Sequence, residues 1–138
     1  MIDKVFVDTN VLVYAHDSAA GVKREIAADT LRELWNNRAG VLSPQVLQEF
    51  YVNVTRKIAA PIPKDAARLI VSTYSAWCID LTPHEISAAF RIEEEAKIGF
   101  WDALIIAAAS KAGATQLLTE DLNAGQVIAG VKIRNPFH

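Results

Sequence analysis

Apolar residues recur along this chain with two different periods. A short continuous run stands at Val5-Phe6-Val7, β-branched and aromatic, and reads as a strand buried on both faces. Val41-Leu42, Trp77 to Leu81, Gln116 to Leu118 and Val131 to Ile133 are further strand candidates. Between them, apolar residues return every three or four positions, the spacing of helices. A short helix is expected from about Val11 to His16. Residues 22–37 place Ala27, Leu31, Leu34 and Trp35 at i, i+4, i+7 and i+8, with Gly40 just beyond the end. Ser43 offers an N-cap and Pro44 suits the first helical position. The helix they open runs through Val46, Leu47, Phe50, Tyr51, Val54 and Ile58, and Pro61 and Pro63 stop it. Lys64 to Ser75 is the next helix. Thr82-Pro83-His84-Glu85 has the form of a capping box with proline at N1. It opens a helix reaching about Lys97 and closed by Gly99. Phe100 to Ala112 is apolar nearly all round and should be buried, with Gly113 as its C′ residue. Apolar strands alternating with helices predict an α/β fold: a three-layer α/β/α sandwich around a mostly parallel sheet of about five strands.

Composition narrows the class. The 138 residues amount to one domain, 1–138, at roughly 150 residues per domain. At 51% hydrophobic and a net charge of −2, the chain is neither disordered nor coated in basic residues for bulk nucleic-acid binding. Cys78 is the only cysteine, which excludes an internal disulfide and multi-thiolate zinc sites. His16, His84 and His138 lie far apart and show no metal-ligand spacing. No apolar run approaches the ~18 residues of a membrane span. Met1-Ile2-Asp3-Lys4 leads into the first strand without a signal-peptide core, so a soluble, cytoplasmic protein is expected.

Most of the 16 acids need no special account. Glu93-Glu94-Glu95 is a helix surface, and Asp29 and Glu33 share a solvated face. Four others stand out. Asp8 closes the first strand, although it could simply cap the helix that follows. Glu49 lies off the apolar face of its helix, beside Gln45, Asn53 and Arg56, where a solvated face is the ordinary explanation. Asp102 is the only charge in Phe100-Trp101-Asp102-Ala103-Leu104-Ile105-Ile106-Ala107, and its alternative is a helix-dipole role in the first turn. Asp121 follows the strand ending at Leu118, through Thr119-Glu120, and Glu120 competes with it. The ends of the first strand and of the one ending at Leu118 should lie at one sheet edge, close to the helix opening near Phe100. Carboxylates gathered there without matched lysines or arginines would repel, by about 3 kcal/mol per pair at ~5 Å and an effective dielectric of ~20. Such a group needs cations. Carboxylate oxygens suit Mg²⁺ or Mn²⁺, and a carboxylate-held divalent pair is a standard device for phosphodiester hydrolysis.

Asp8-Thr9-Asn10-Val11-Leu12 after an apolar strand, Glu49 on a following helix, Phe100-Trp101-Asp102-Ala103-Leu104-Ile105 and Leu118-Thr119-Glu120-Asp121 together resemble the PIN-domain nucleases. Within that family the sequence is most similar to VapC-type toxins of toxin–antitoxin pairs, over essentially the whole chain. The resemblance implies a Mg²⁺- or Mn²⁺-dependent endoribonuclease. Asp8, Asp102 and Asp121 would hold the metal. Glu49 would orient or deprotonate the attacking water or complete a second metal site. Asn10 and Thr119 would hydrogen-bond the carboxylates or a metal water. It also implies a homodimer held inactive by a small antitoxin whose tail occupies a groove. Lys23, Arg24, Arg56, Lys57, Lys97 and Arg134 are candidates for phosphate contacts. Two other readings compete. A receiver-like phosphoacceptor domain could use Asp80, but Val7-Asp8 lacks the acid pair such domains carry. A PIN-like interaction module without activity is disfavoured by the presence of all four acids.

Overall fold

The structure is a computed structural model and describes residues 3–138. Met1 and Ile2, read above as the lead into the first strand, lie outside the described residues. The elements are β1 (Lys4–Val7), α1 (Thr9–Ala15), α2 (Val22–Asn36), β2 (Gly40–Val41), α3 (Pro44–Val52), α4 (Lys64–Tyr74), α5 (Pro83–Ala96), α6 (Phe100–Lys111), β3 (Ala114–Leu118), β4 (Val127–Ile128) and β5 (Val131–Arg134). They form one five-stranded sheet in the order β2-β1-β3-β5-β4. Among the described residues, only the β4–β5 hairpin is antiparallel.

Successive residues of a strand face opposite sides, so a strand with both neighbours buried has both faces covered. Phe6 and Val7 are fully buried, as are Leu117 and Leu118. The sheet is therefore the middle of three layers, as the doubly apolar runs predict. The helices divide accordingly. α1 packs on α2 and α3, and α3 on α4, whereas α5 packs on α6, and α6 on β3 and β5.

Trp77 to Leu81 is not a strand. A 3₁₀ turn at Ser75–Trp77 leads into a single parallel bridge between Cys78 and Leu42. Two backbone bonds hold it, from Leu42 N–H to the Trp77 carbonyl (3.0 Å) and from Ile79 N–H to the Leu42 carbonyl (2.9 Å). The segment then turns away toward the Thr82 cap. Its apolar character serves packing: the Trp77 ring lies so close over β2 that a Cβ on Gly40 would meet it at 2.7 Å. The helix expected through Ile58 keeps α form only to Val52 and continues as one π turn, Asn53–Lys57. α5 runs to Ala96, as expected, but the residue that closes it is Lys97, left-handed with φ 55°, rather than Gly99. Gly99 is instead the N-cap of α6. α6 is buried at Ala103 and from Ile105 to Ala109, but Trp101 is 65% exposed and Ser110 and Lys111 are exposed. The capping box is present: Thr82 Oγ1 accepts from His84 N–H, and Glu85 accepts from Thr82 N–H.

Candidate active site

Register brings the first and last candidate segments together. Val7 pairs with Leu118 in the parallel β1–β3 ladder, so Asp8 and Thr119 leave the sheet side by side at its carboxyl edge. Ligands of open parallel sheets bind at this edge. Asp8 N–H donates to the Leu118 carbonyl at 3.0 Å, and Thr119 N–H to the Arg134 carbonyl at 3.1 Å, which fixes both stems.

Asp8 does cap α1, since its Oδ1 accepts from Thr9 N–H at 2.7 Å. Its other oxygen accepts from Thr119 Oγ1 at 2.9 Å. The Thr119 hydroxyl in turn accepts from Asn10 Nδ2 and from Asp121 N–H, each at 3.1 Å. Asn10 Nδ2 also donates to Asp121 Oδ2 at 3.0 Å. Thr119 and Asn10 thus join two carboxylates from opposite ends of the chain into one network. Thr119 is fully buried, and a buried hydroxyl with all its partners in place rigidifies what it touches.

Glu49 lies one and a half turns into α3. It approaches the network through a residue that the sequence pattern did not single out: Thr9 Oγ1 donates to Glu49 Oε2 at 2.9 Å. Gln45, one turn earlier, donates to Oε1 at 3.0 Å. Asp102 occupies the first turn of α6, half-buried.

The electrostatics tie the four together. Asp8 is buried, and its pKa is pushed from 3.8 up to about 6, chiefly by desolvation, with the charges of Asp121 and Glu49 adding to the rise. The Asp102 carboxyl is also raised, first by burial and then by the same two neighbours. Among the described residues, ion pairs join Lys23 to Glu120, Arg32 to Asp29, Arg68 to Asp65 and Lys111 to Glu85, so none of the four acids has a cationic partner. Among the described residues, no three His, Cys, Asp or Glu side chains already form a group able to hold one ion. Glu49 and Asp121 are both exposed. The donor set itself is uniform: carboxylate oxygens, with hydroxyl and amide groups behind them. That chemistry fits Mg²⁺ or Mn²⁺ and fits neither zinc nor copper well.

Glu120, the competitor of Asp121, faces elsewhere. One oxygen accepts from the Tyr14 hydroxyl and the other from Lys23 Nζ at 2.8 Å. Burial works against its charge, yet these two partners outweigh that and hold its pKa below the usual value. Lys23 is correspondingly occupied. Arg24, Arg56, Lys57, Lys97 and Arg134 are exposed and outside the ion pairs of the described residues.

The chain is thus a three-layer α/β sandwich with acids that lack a cationic partner at the carboxyl edge of its central strands. The PIN domain family model matches residues 5–128, and the chain belongs to the PIN domain family. A comparison with curated proteins returned no match. Among solved structures, a toxin–antitoxin complex from Klebsiella pneumoniae is similar at a TM-score of 0.69 and 21% identity, covering 93% of this chain and 95% of that one. VapBC2 from Rickettsia felis, bound to a promoter DNA fragment, gives 0.65 and 20%, covering 95% and 97%. VapC20 from Mycobacterium tuberculosis, a sarcin–ricin loop cleaving toxin, gives 0.61 and 16%, covering 83% and 87%. At these identities the likeness shows the fold. Family membership sets aside the phosphoacceptor reading.

Proposed function

We propose that this protein is a divalent-metal-dependent endoribonuclease and the toxin of a toxin–antitoxin pair. One observation carries the reading: acids from four distant stretches share one electrostatic neighbourhood and have no cation among the described residues. Mg²⁺ or Mn²⁺ bound there would supply Lewis acidity and make a bound water easier to deprotonate than bulk water. In this reading Asp8, Asp102 and Asp121 offer the ligand oxygens. Thr119 and Asn10 orient Asp8 and Asp121 and hold them at fixed separation. Glu49, steered by Thr9 and Gln45, takes the proton of the attacking water or completes a second metal position. Exposed cations such as Arg24, Arg56, Lys57 and Lys97 hold the phosphate backbone without reading sequence.

The antitoxin partner is supported by the toxin–antitoxin complexes among the structural neighbours. A cleft of about 330 Å³ at the end of α1 away from Asp8, lined by His16, Leu31, Trp35, Ile70 and Tyr74, suits an apolar side of such a partner. Homodimer formation is supported by Ile86, Phe90 and Trp101, apolar residues left 43%, 53% and 65% exposed on α5 and α6. Among the described residues, no helix is long and apolar enough to cross a membrane.

The test is cleavage of a structured RNA with Mg²⁺, with EDTA, and by an Asp102→Asn variant. The reading requires cutting only in the first case. RNA cleavage that continues in EDTA, or in Asp102→Asn at the wild-type rate, overturns it.

A further inference from the structure

Glu120 and Asp121 are adjacent acids just past the end of β3, and either could serve the metal. We propose that Lys23 is the positioning residue that decides between them: with Tyr14 it holds Glu120 outward, so that Asp121 is the acid presented to the divalent ion. The inference rests on the metal-dependent reading above and goes beyond it in naming a residue that touches none of the four acids.

Both Glu120 carboxylate oxygens are engaged, one by Tyr14 of α1 and one by Lys23 of α2 at 2.8 Å. The Lys23 ammonium is held on further sides. It lies 4.8 Å from the Tyr14 ring centroid and 5.5 Å from that of Phe137. Those two rings meet edge to face at 5.2 Å, and Phe137 is tied by its N–H to Asn135 Oδ1 at 2.9 Å. Two separate parts of the chain thus meet at Glu120, and a third, Phe137, packs against both of its partners. On the other side of the same loop, Asn10 holds Asp121 Oδ2, and Thr119 Oγ1 holds Asp121 N–H. Fixing Glu120 on one side therefore fixes the backbone from which Asp121 projects on the other. The Lys23 side chain is 42% exposed, and an ion pair that exposed adds little to stability. Its effect is on placement.

Charge and placement predict opposite signs. Removing a cation near an acidic site strengthens the pull on a divalent ion. Removing a clamp that positions a ligand weakens binding, and partners behind metal ligands commonly carry about tenfold or more in affinity. The experiment is calorimetric titration of the full chain with MnCl₂ for wild type, Lys23→Met, Lys23→Arg and Tyr14→Phe, beside their melting temperatures. The expected result is Mn²⁺ affinity about tenfold weaker in Lys23→Met, weaker in Tyr14→Phe, and close to wild type in Lys23→Arg, with little change in melting. Should Lys23→Met not fold, Tyr14→Phe, which removes one hydroxyl and no charge, carries the same comparison. Mn²⁺ binding by Lys23→Met as tight as wild type, or tighter, overturns the positioning role and leaves the metal site standing. A wild type that binds no Mn²⁺ overturns both.

Discussion

Replacing Asp8 by asparagine should stabilise the metal-free protein at neutral pH. Asp8 is buried, and its pKa is about 6 in the folded chain against an ordinary 3.8. A carboxyl whose folded pKa is raised keeps its proton longer in the native state than in the unfolded one. Below about pH 3.8 both states are protonated and there is no penalty. Between 3.8 and 6 stability falls as pH rises, and above 6 the full penalty applies. At about 1.4 kcal/mol per pH unit, the gap is worth roughly 3 kcal/mol. Asparagine carries no such penalty and its amide oxygen can still accept from Thr9 N–H, but its NH₂ cannot accept from the Thr119 hydroxyl, an offset of about 1 kcal/mol that leaves a net gain of roughly 2 kcal/mol. For a domain of this size, that corresponds to about 7 °C in melting temperature. Thermal unfolding in EDTA from pH 4 to pH 8 provides the assay. Asp8→Asn should melt higher than wild type at pH 7.5, and the difference should shrink toward pH 4. Mg²⁺ or Mn²⁺ should raise wild type and leave the variant nearly unchanged. An Asp8→Asn protein that melts below wild type at pH 7.5 in EDTA, or by a margin independent of pH, would refute the claim that burial and like charge strain this carboxylate.

Other substitutions probe separate parts of the account. Glu49→Gln should cut metal-dependent RNA cleavage by about two orders of magnitude or more, as loss of a general base does, with an unchanged far-ultraviolet circular dichroism spectrum; a wild-type rate would remove Glu49 from the site. Thr119→Val keeps the shape but deletes the hydroxyl between Asp8, Asn10 and Asp121, and should cost about 1–3 kcal/mol in chemical denaturation. Gly40→Ala drives a methyl into the Trp77 ring, where a Cβ would stand at 2.7 Å, and should cost about 1–3 kcal/mol, visible also as a shift in tryptophan fluorescence.

The sheet was legible wherever an apolar run is doubly buried. β1 and β3 carry that signature at Phe6, Val7, Leu117 and Leu118, whereas β5 alternates, with Val131 and Ile133 buried and Lys132 and Arg134 exposed. The apolar signature misled at Trp77–Leu81, where the same composition serves one ring stacked over Gly40 and a single bridge to Leu42. β4 left no such trace. Its two residues are held by a hairpin in which Ala129 and Gly130 both take positive φ, the conformation of a two-residue I′ turn, without the usual Asn-Gly signal. Among the acids, Asp102 was conspicuous because its neighbours are apolar. Glu49 was not, because an amphipathic pattern records only which face meets the core. The partners Thr9 and Gln45 lie 40 and 4 residues from Glu49, and only the folded chain brings the first of them near. The choice between Glu120 and Asp121 depends on Tyr14 and Lys23, 106 and 97 residues from Glu120, which no local spacing encodes.

The most direct measurement is anomalous diffraction at the manganese edge from crystals grown with MnCl₂. The account predicts a manganese peak within ligand distance of carboxylate oxygens of Asp8 and Asp102, absent from crystals of Asp8→Asn. Manganese found only at other acids, or these carboxylates unmoved and without metal at saturating Mn²⁺, would contradict it.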